Sequence, residues 1–138
     1  MSFKLLAVAS LLFFIKDIHE VRVTVYHIKG ITASGEMTTS IKVPFVAVSR
    51  DLLIKYPMHS TMIVDGCPFA GKYLVKDKMN KRLTNSIDVF IKSSKKKYNP
   101  CKCKIYTQDE YELFKNETMV PKPDSIIIDT IMTADTIK

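Results

Sequence analysis

A small closed β-barrel is the fold this sequence predicts, and three observations lead there. Six short runs carry the apolar or alternating pattern of strands, a single short helix falls among them, and no βαβ alternation calls for a layered parallel sheet. Closing such short strands into a barrel removes the exposed edges an open sheet would keep. With 138 residues, 46% hydrophobic and 25% charged, the chain has the size and composition of one globular domain with a real core.

Residues 1–16 read MSFKLLAVASLLFFIK, an early lysine followed by an uncharged run from Leu5 to Ile15. That run is too short for a typical spanning helix but matches the apolar region of a signal peptide. No small-x-small cleavage site follows it, because Lys16, Asp17, His19 and Glu20 are charged or bulky. Residues 1–19 are therefore expected to be an export signal or an N-terminal anchor, the other possibility being a buried N-terminal element. Export would place the protein outside the cell or in the periplasm and envelope, with the membrane met only through this segment.

Residues 21–28, VRVTVYHI, alternate strictly: Val21, Val23, Val25 and His27 on one face, Arg22, Thr24, Tyr26 and Ile28 on the other. Residues 29–40 are rich in Gly, Thr and Ser and form a loop. A second strand covers 41–48, with Pro44 placing its first half at an edge or a bend. Ser49 is positioned to cap a short helix over 50–55, which Tyr56 and Pro57 end. A third strand, 61–64, runs into the Asp65-Gly66 turn. Residues 71–76 form the strand that delivers Asp77, 86–91 the strand that carries Asp88, and 102–107 the last, reached through a lysine-rich connector and Asn99-Pro100. The barrel thus spans 20–107. Beyond it, 108–138 form an extension: an acidic helix over 108–116, a break at Pro121 and Pro123, and an apolar run, SIIIDTIM, over 125–132 that could add a strand or meet a partner.

The chemistry is concentrated in residues 73–91, YLVKDKMNKRLTNSIDVFI, where two carboxylates stand eleven residues apart. On its strand Asp88 shares a face with Phe90, while Ile87, Val89 and Ile91 share the other. An acid beside an aromatic at the rim of the core, once partly desolvated, has its pKa raised toward the range where it donates a proton at neutral pH. The plainer alternative is an aspartate facing water from a half-buried strand.

In order along the chain, Val23-Thr24-Val25-Tyr26, Thr32-Ala33-Ser34-Gly35, Val46-Ala47-Val48, Asp77, Asn85 and Ile87-Asp88-Val89-Phe90 resemble the three-aspartate domain of a class of peptidoglycan lytic transglycosylases. The resemblance covers about residues 21–106 and implies a six-stranded double-psi β-barrel with one or two short helices. It departs from the family at Ser49, where the first aspartate is expected and for which Asp51 is a possible substitute, and at 78–82, where bulky residues replace a glycine pair. It implies that Asp88 is the catalytic acid and base, with Asp77 holding substrate or keeping the Asp88 proton in place. By the same resemblance Thr24, Tyr26 and Asn85 would hydrogen-bond sugars, and Lys81 and Arg82 would meet acidic stem peptides. The implied partner is the peptidoglycan glycan strand, met by a monomer with no cofactor. A hydrolase with two carboxylates across the bond, or an expansin-like module that binds wall polysaccharide without turnover, remains open.

Charge is uneven: residues 1–104 hold 18 Lys and Arg against 7 Asp and Glu, residues 105–138 hold 3 against 7. A basic body favours an anionic polymer or surface. Without an aromatic-and-glycine nucleic-acid motif, charge alone speaks for nucleic acid, which is not the expected partner. Three cysteines allow Cys67 to pair with Cys101 or Cys103 in an exported chain, leaving one thiol. Neither their spacing nor that of His19, His27 and His59 suits a metal, and none is expected.

Overall fold

The computed structural model describes residues 19–93 and 95–119. The expected export segment up to residue 18 and the apolar run at 125–132 lie outside the described residues. Six strands form: β1 (His19–Tyr26), β2 (Phe45–Val48), β3 (Thr61–Asp65), β4 (Gly71–Lys78), β5 (Ser86–Phe90) and β6 (Cys101–Tyr106). They close into a barrel in the order β1-β5-β2-β4-β3-β6. The chain is therefore mainly β, as its alternation predicts.

β1 and β5 run parallel, as do β2 and β4, and the other four neighbours are antiparallel. Replacing β1, β2 and β3 by β4, β5 and β6 reproduces every pairing. The barrel is thus two interlocked copies of one three-strand unit, although the letters show no repeat. Within each copy the first two strands are separated by a strand of the other copy. The connectors 27–44 and 79–85 must therefore cross a strand end, because the strands they join are not neighbours in the barrel.

Alternation sets the core. Val21 and Val23 on β1, Val46 and Val48 on β2, Ile87 and Val89 on β5 are buried inside the barrel, leaving Thr24, Tyr26, Asp88 and Phe90 on its outer face. β2 begins only at Phe45, because Pro44 has no N–H for the ladder, although its carbonyl accepts from Leu74 N–H at 3.0 Å. Ser49 does not cap the following segment. Its backbone is extended, its N–H donates to Ser86 O, and its Oγ accepts from Ser86 N–H at 3.0 Å, so it prolongs the β2–β5 pairing. A 3-10 turn, Arg50–Leu53, forms in place of the expected helix.

After β6 the chain enters α1 (Gln108–Met119). Thr107 Oγ1 accepts from Glu110 N–H at 3.2 Å and Glu110 returns a carboxylate to Thr107 N–H at 2.9 Å, a capping box that starts the helix. Tyr111 and Phe114 pack on Tyr106, and Lys55 pairs with Glu110 at 2.7 Å, which docks the helix on the barrel. Among the described residues no helix is long and apolar enough to cross a membrane. Cys67, between β3 and β4, is bonded to Cys103 on β6 and leaves the Cys101 thiol free. With a sequence separation of 36 between its ends, that bond constrains the unfolded chain by about 4 kcal/mol.

Candidate functional site

Four side chains meet in a row on the outer face because their backbones are in register. Thr24 on β1 lies opposite Asp88 on β5, Asp88 opposite Ala47 on β2, and Ala47 opposite Asp77 on β4. Neighbouring strands are about 4.8 Å apart, so β2 alone, with the small Ala47 side chain on this face, lies between the two carboxylates.

Asp77 reaches this row through a β-bulge. Val46 pairs with Val75, but the next residue, Ala47, pairs with Asp77, so Lys76 is an extra residue on β4. From the buried Val75, plain alternation would turn Asp77 inward; the inserted residue re-aims it outward. Lys76 Nζ then pairs with Glu36 Oε2 at 2.7 Å and lies 3.2 Å from His59 Nδ1. That pair, helped by Ser34 Oγ donating to Glu36, holds the Glu36 carboxyl below its usual range. Ser34 N–H also donates to Lys76 O, so the 27–44 connector is fastened over the bulge.

The connector supplies one of three holds on Asp77. Ala33 N–H donates to Oδ1 at 2.8 Å, Lys78 N–H donates to the same oxygen at 2.9 Å, and Tyr26 OH donates to Oδ2 at 3.4 Å. Burial first, then the charges of Asp77 and Asp88, push the Tyr26 phenol well above its ordinary value, so it stays a donor. Its ring meets Phe90 and Phe45 edge-on, at 5.3 and 6.5 Å between centroids, and those two stack on each other at 4.7 Å. The aromatic group forms one wall beside the acids.

Asp88 differs from Asp77 in its surroundings. Among the described residues its one side-chain hydrogen bond comes from Thr24 Oγ1, 2.9 Å from Oδ1. Burial pushes its carboxyl above the ordinary aspartate range and the Asp77 charge adds to this, while the Thr24 hydrogen bond pulls the other way. A half-buried carboxyl whose pKa is raised by burial, beside a second carboxylate anchored by backbone amides, is an arrangement suited to acid–base chemistry.

Of the residues singled out in the sequence, Thr24, Tyr26, Asp77 and Asp88 are brought together, and the two donors bind the acids themselves. Asn85 is not with them. It sits at the start of β5 with φ 47, its side-chain amide donates to Glu20 O at 3.0 Å, and its N–H donates to Asp51 Oδ2 at 2.9 Å. Asp51 therefore anchors the approach to β5 and does not join the acid pair. Arg82 and Asn85 line a cleft of about 350 Å³ with Glu20, Arg22 and Lys102, and Lys81 is exposed in the same loop. Sequence reasoning missed Ala47, the Ala33 amide, Phe45 and the Lys76 bulge. Ala47 and Phe45 could have been found as the face of β2 opposite Val46 and Val48. The three cysteine sulfurs lie within 4.8 Å of one another, two of them joined in the disulfide.

No family model, curated protein or solved structure matches this chain.

Proposed function

We propose that the chain is a lytic transglycosylase that cleaves the β-1,4 bond from N-acetylmuramic acid to N-acetylglucosamine in peptidoglycan. The observation that carries this reading is the asymmetry of the acid pair: Asp88 is pushed toward its protonated form by burial and by Asp77, which three donors hold in place. One carboxyl group then serves two steps. Protonated Asp88 gives its proton to the glycosidic oxygen as the bond to C1 breaks and the sugar gains oxocarbenium character. The resulting carboxylate accepts the proton of the muramic C6 hydroxyl as O6 bonds to C1, which closes a 1,6-anhydro ring and restores the acid. No water is consumed. Asp77 keeps the charge balance that favours the Asp88 proton, and Tyr26 fixes its orientation.

A second reading is a wall-polysaccharide module without turnover, of the expansin-like type. It is favoured by Ser49, buried and bonded to Ser86 where the resembled family carries an acid.

The deciding experiment is digestion of purified peptidoglycan by the protein and by its Asp88→Asn variant, with products identified by mass spectrometry. Anhydro-muropeptides from the parent and none from the variant are expected. Reducing ends in their place would mean a hydrolase, with water held between two carboxylates. Retention on the insoluble wall by both proteins, with nothing released, would mean the binding module.

A further inference from the structure

We propose that the cleft beyond Phe90 is a subsite for the carboxylate-bearing peptide substituents of the glycan strand; this rests on the transglycosylase reading. Phe90 follows Asp88 by two positions on β5 and shares its outer face, so the cleft opens about 7 Å along the strand from the acid. The volume is about 530 Å³, enough for a peptide side branch.

Lys42, Lys92 and Lys96 are exposed along the rim, and among the described residues no acidic side chain lines the cleft. An uncharged sugar chain would leave all three ammonium groups unmatched, whereas a substituent with free carboxylates meets them. The walls are apolar: Phe69 and Tyr98 pack at 5.0 Å, and the Tyr73 hydroxyl is already donated to Phe69 O at 2.7 Å. Lys96 Nζ lies 5.3 Å from the centre of the Tyr98 ring, which holds that cation at the cleft. Such a surface suits short aliphatic side chains ending in carboxylates.

The cleft at the other end of β5 is less suited. There Lys102 lies 3.8 Å from Glu20, so part of the positive charge is matched within the protein. Lys81 and Arg82, assigned by sequence resemblance to acidic stem peptides, belong to that end, and the lysine-rimmed cleft takes over the role.

The test is equilibrium pelleting of the full chain on purified peptidoglycan and on the same material with its carboxylates converted to amides. The Lys42→Gln/Lys92→Gln/Lys96→Gln variant is compared with a charge-matched control, Lys72→Gln/Lys104→Gln/Lys115→Gln, and short duplex DNA is run beside both. The cleft variant is expected to bind the native wall about tenfold less tightly than the control, about 1.4 kcal/mol, in line with three solvent-exposed charge contacts. On the amidated wall the two variants should bind alike. Equal binding of both variants to the native wall, or no effect of amidation, overturns the subsite. So does a tenfold loss that appears equally on DNA, since the cleft would then be a general polyanion surface, as does failure of the parent to bind the wall. Anhydro-muropeptide release reports separately on Asp88: its presence with indistinguishable variants sinks the subsite alone, and its absence from the parent sinks the transglycosylase.

Discussion

Thr24 and Ala47 in the first half of the barrel hold the places that Asp77 and Asp88 hold in the second. Exchanging the halves carries β1 onto β4 and β2 onto β5, so Ala47 and Asp88, which face each other, change places. Thr24, opposite Asp88, then falls on Asp77, opposite Ala47. The fold supplies four related positions around one point, and only one half places acids there. The halves differ in two further ways. β4 carries the Lys76 bulge while β1 pairs with β5 without interruption, and the longer connector, 27–44, reaches back to give Asp77 a backbone amide. The asymmetry is what gives a symmetric scaffold one half-buried carboxyl of raised pKa and one anchored carboxylate.

The largest effect should come from removing the acid. Asp88→Asn keeps size and register but has no proton to give at neutral pH, and turnover to anhydro product should fall by about 10²–10⁴-fold, the range of general acid–base catalysis. Thr24→Val removes only the donor to Asp88 and should retain turnover. Equal losses in the two variants would show that the Thr24–Asp88 pair acts as a structural unit.

Deleting Lys76 removes the second difference. β4 would regain plain alternation, with Val75 inward and Asp77, now its immediate neighbour, still outward opposite Ala47. What is lost is the Lys76 pair with Glu36 and the hydrogen bond from Ser34 N–H to Lys76 O, so urea denaturation should report a loss of about 1 kcal/mol. A loss of about 3 kcal/mol or more would mean instead that the shortened strand turns Asp77 into the core as an unpaired charge.

That bulge marks where reading the letters stops. In β1 and β5 alternation is unbroken, so the faces of Thr24, Tyr26, Asp88 and Phe90 were legible. On β4, Tyr73, Val75 and Asp77 alternate as if on one face, and no propensity signals that a lysine will be left over. Ser49 reads as a helix cap because its hydroxyl could serve the next amides as well as Ser86; which it serves depends on β5, far along the chain. The cysteine pairing was left open for a similar reason. Cys101 and Cys103 share a face of β6, and Cys103 is the one buried where Cys67 arrives. Local pattern gives strands and faces, while register between distant strands decides which residues meet.

Two substitutions sharpen the comparison by moving one pKa in opposite directions. Thr24 stabilises the Asp88 carboxylate, so Thr24→Val should raise the Asp88 pKa; Asp77 opposes ionisation, so Asp77→Asn should lower it. With protonated Asp88 as the acid, the alkaline limb of kcat/KM against pH should move up in the first and down in the second. A limb unmoved by both would assign it to another group. Stability carries the same sign. The folded pKa of Asp88 is raised, so its contribution is fully present below the unfolded value of about 3.9 and is lost as pH rises through the folded value. The Asp88→Asn variant should therefore gain on the parent in melting temperature between pH 3 and pH 7, and a constant gap would refute the shift.

The smallest effect separates the connectors that follow β2 and β5. The first buries Tyr56 completely, and its hydroxyl finds no partner among the described residues. The second leaves Tyr98 half-exposed at the lysine-rimmed cleft. Burial pushes the Tyr56 phenol above its ordinary value, so it is neutral at any ordinary pH, and its cost is that of an unpaired hydroxyl. Tyr56→Phe removes the hydroxyl without emptying the ring site and should stabilise the fold by about 1 kcal/mol in urea denaturation. Tyr98→Phe, whose hydroxyl has access to water, should leave stability unchanged. A loss of stability in Tyr56→Phe would reveal a buried partner, such as an ordered water, and the first half would then hold a buried polar contact of its own.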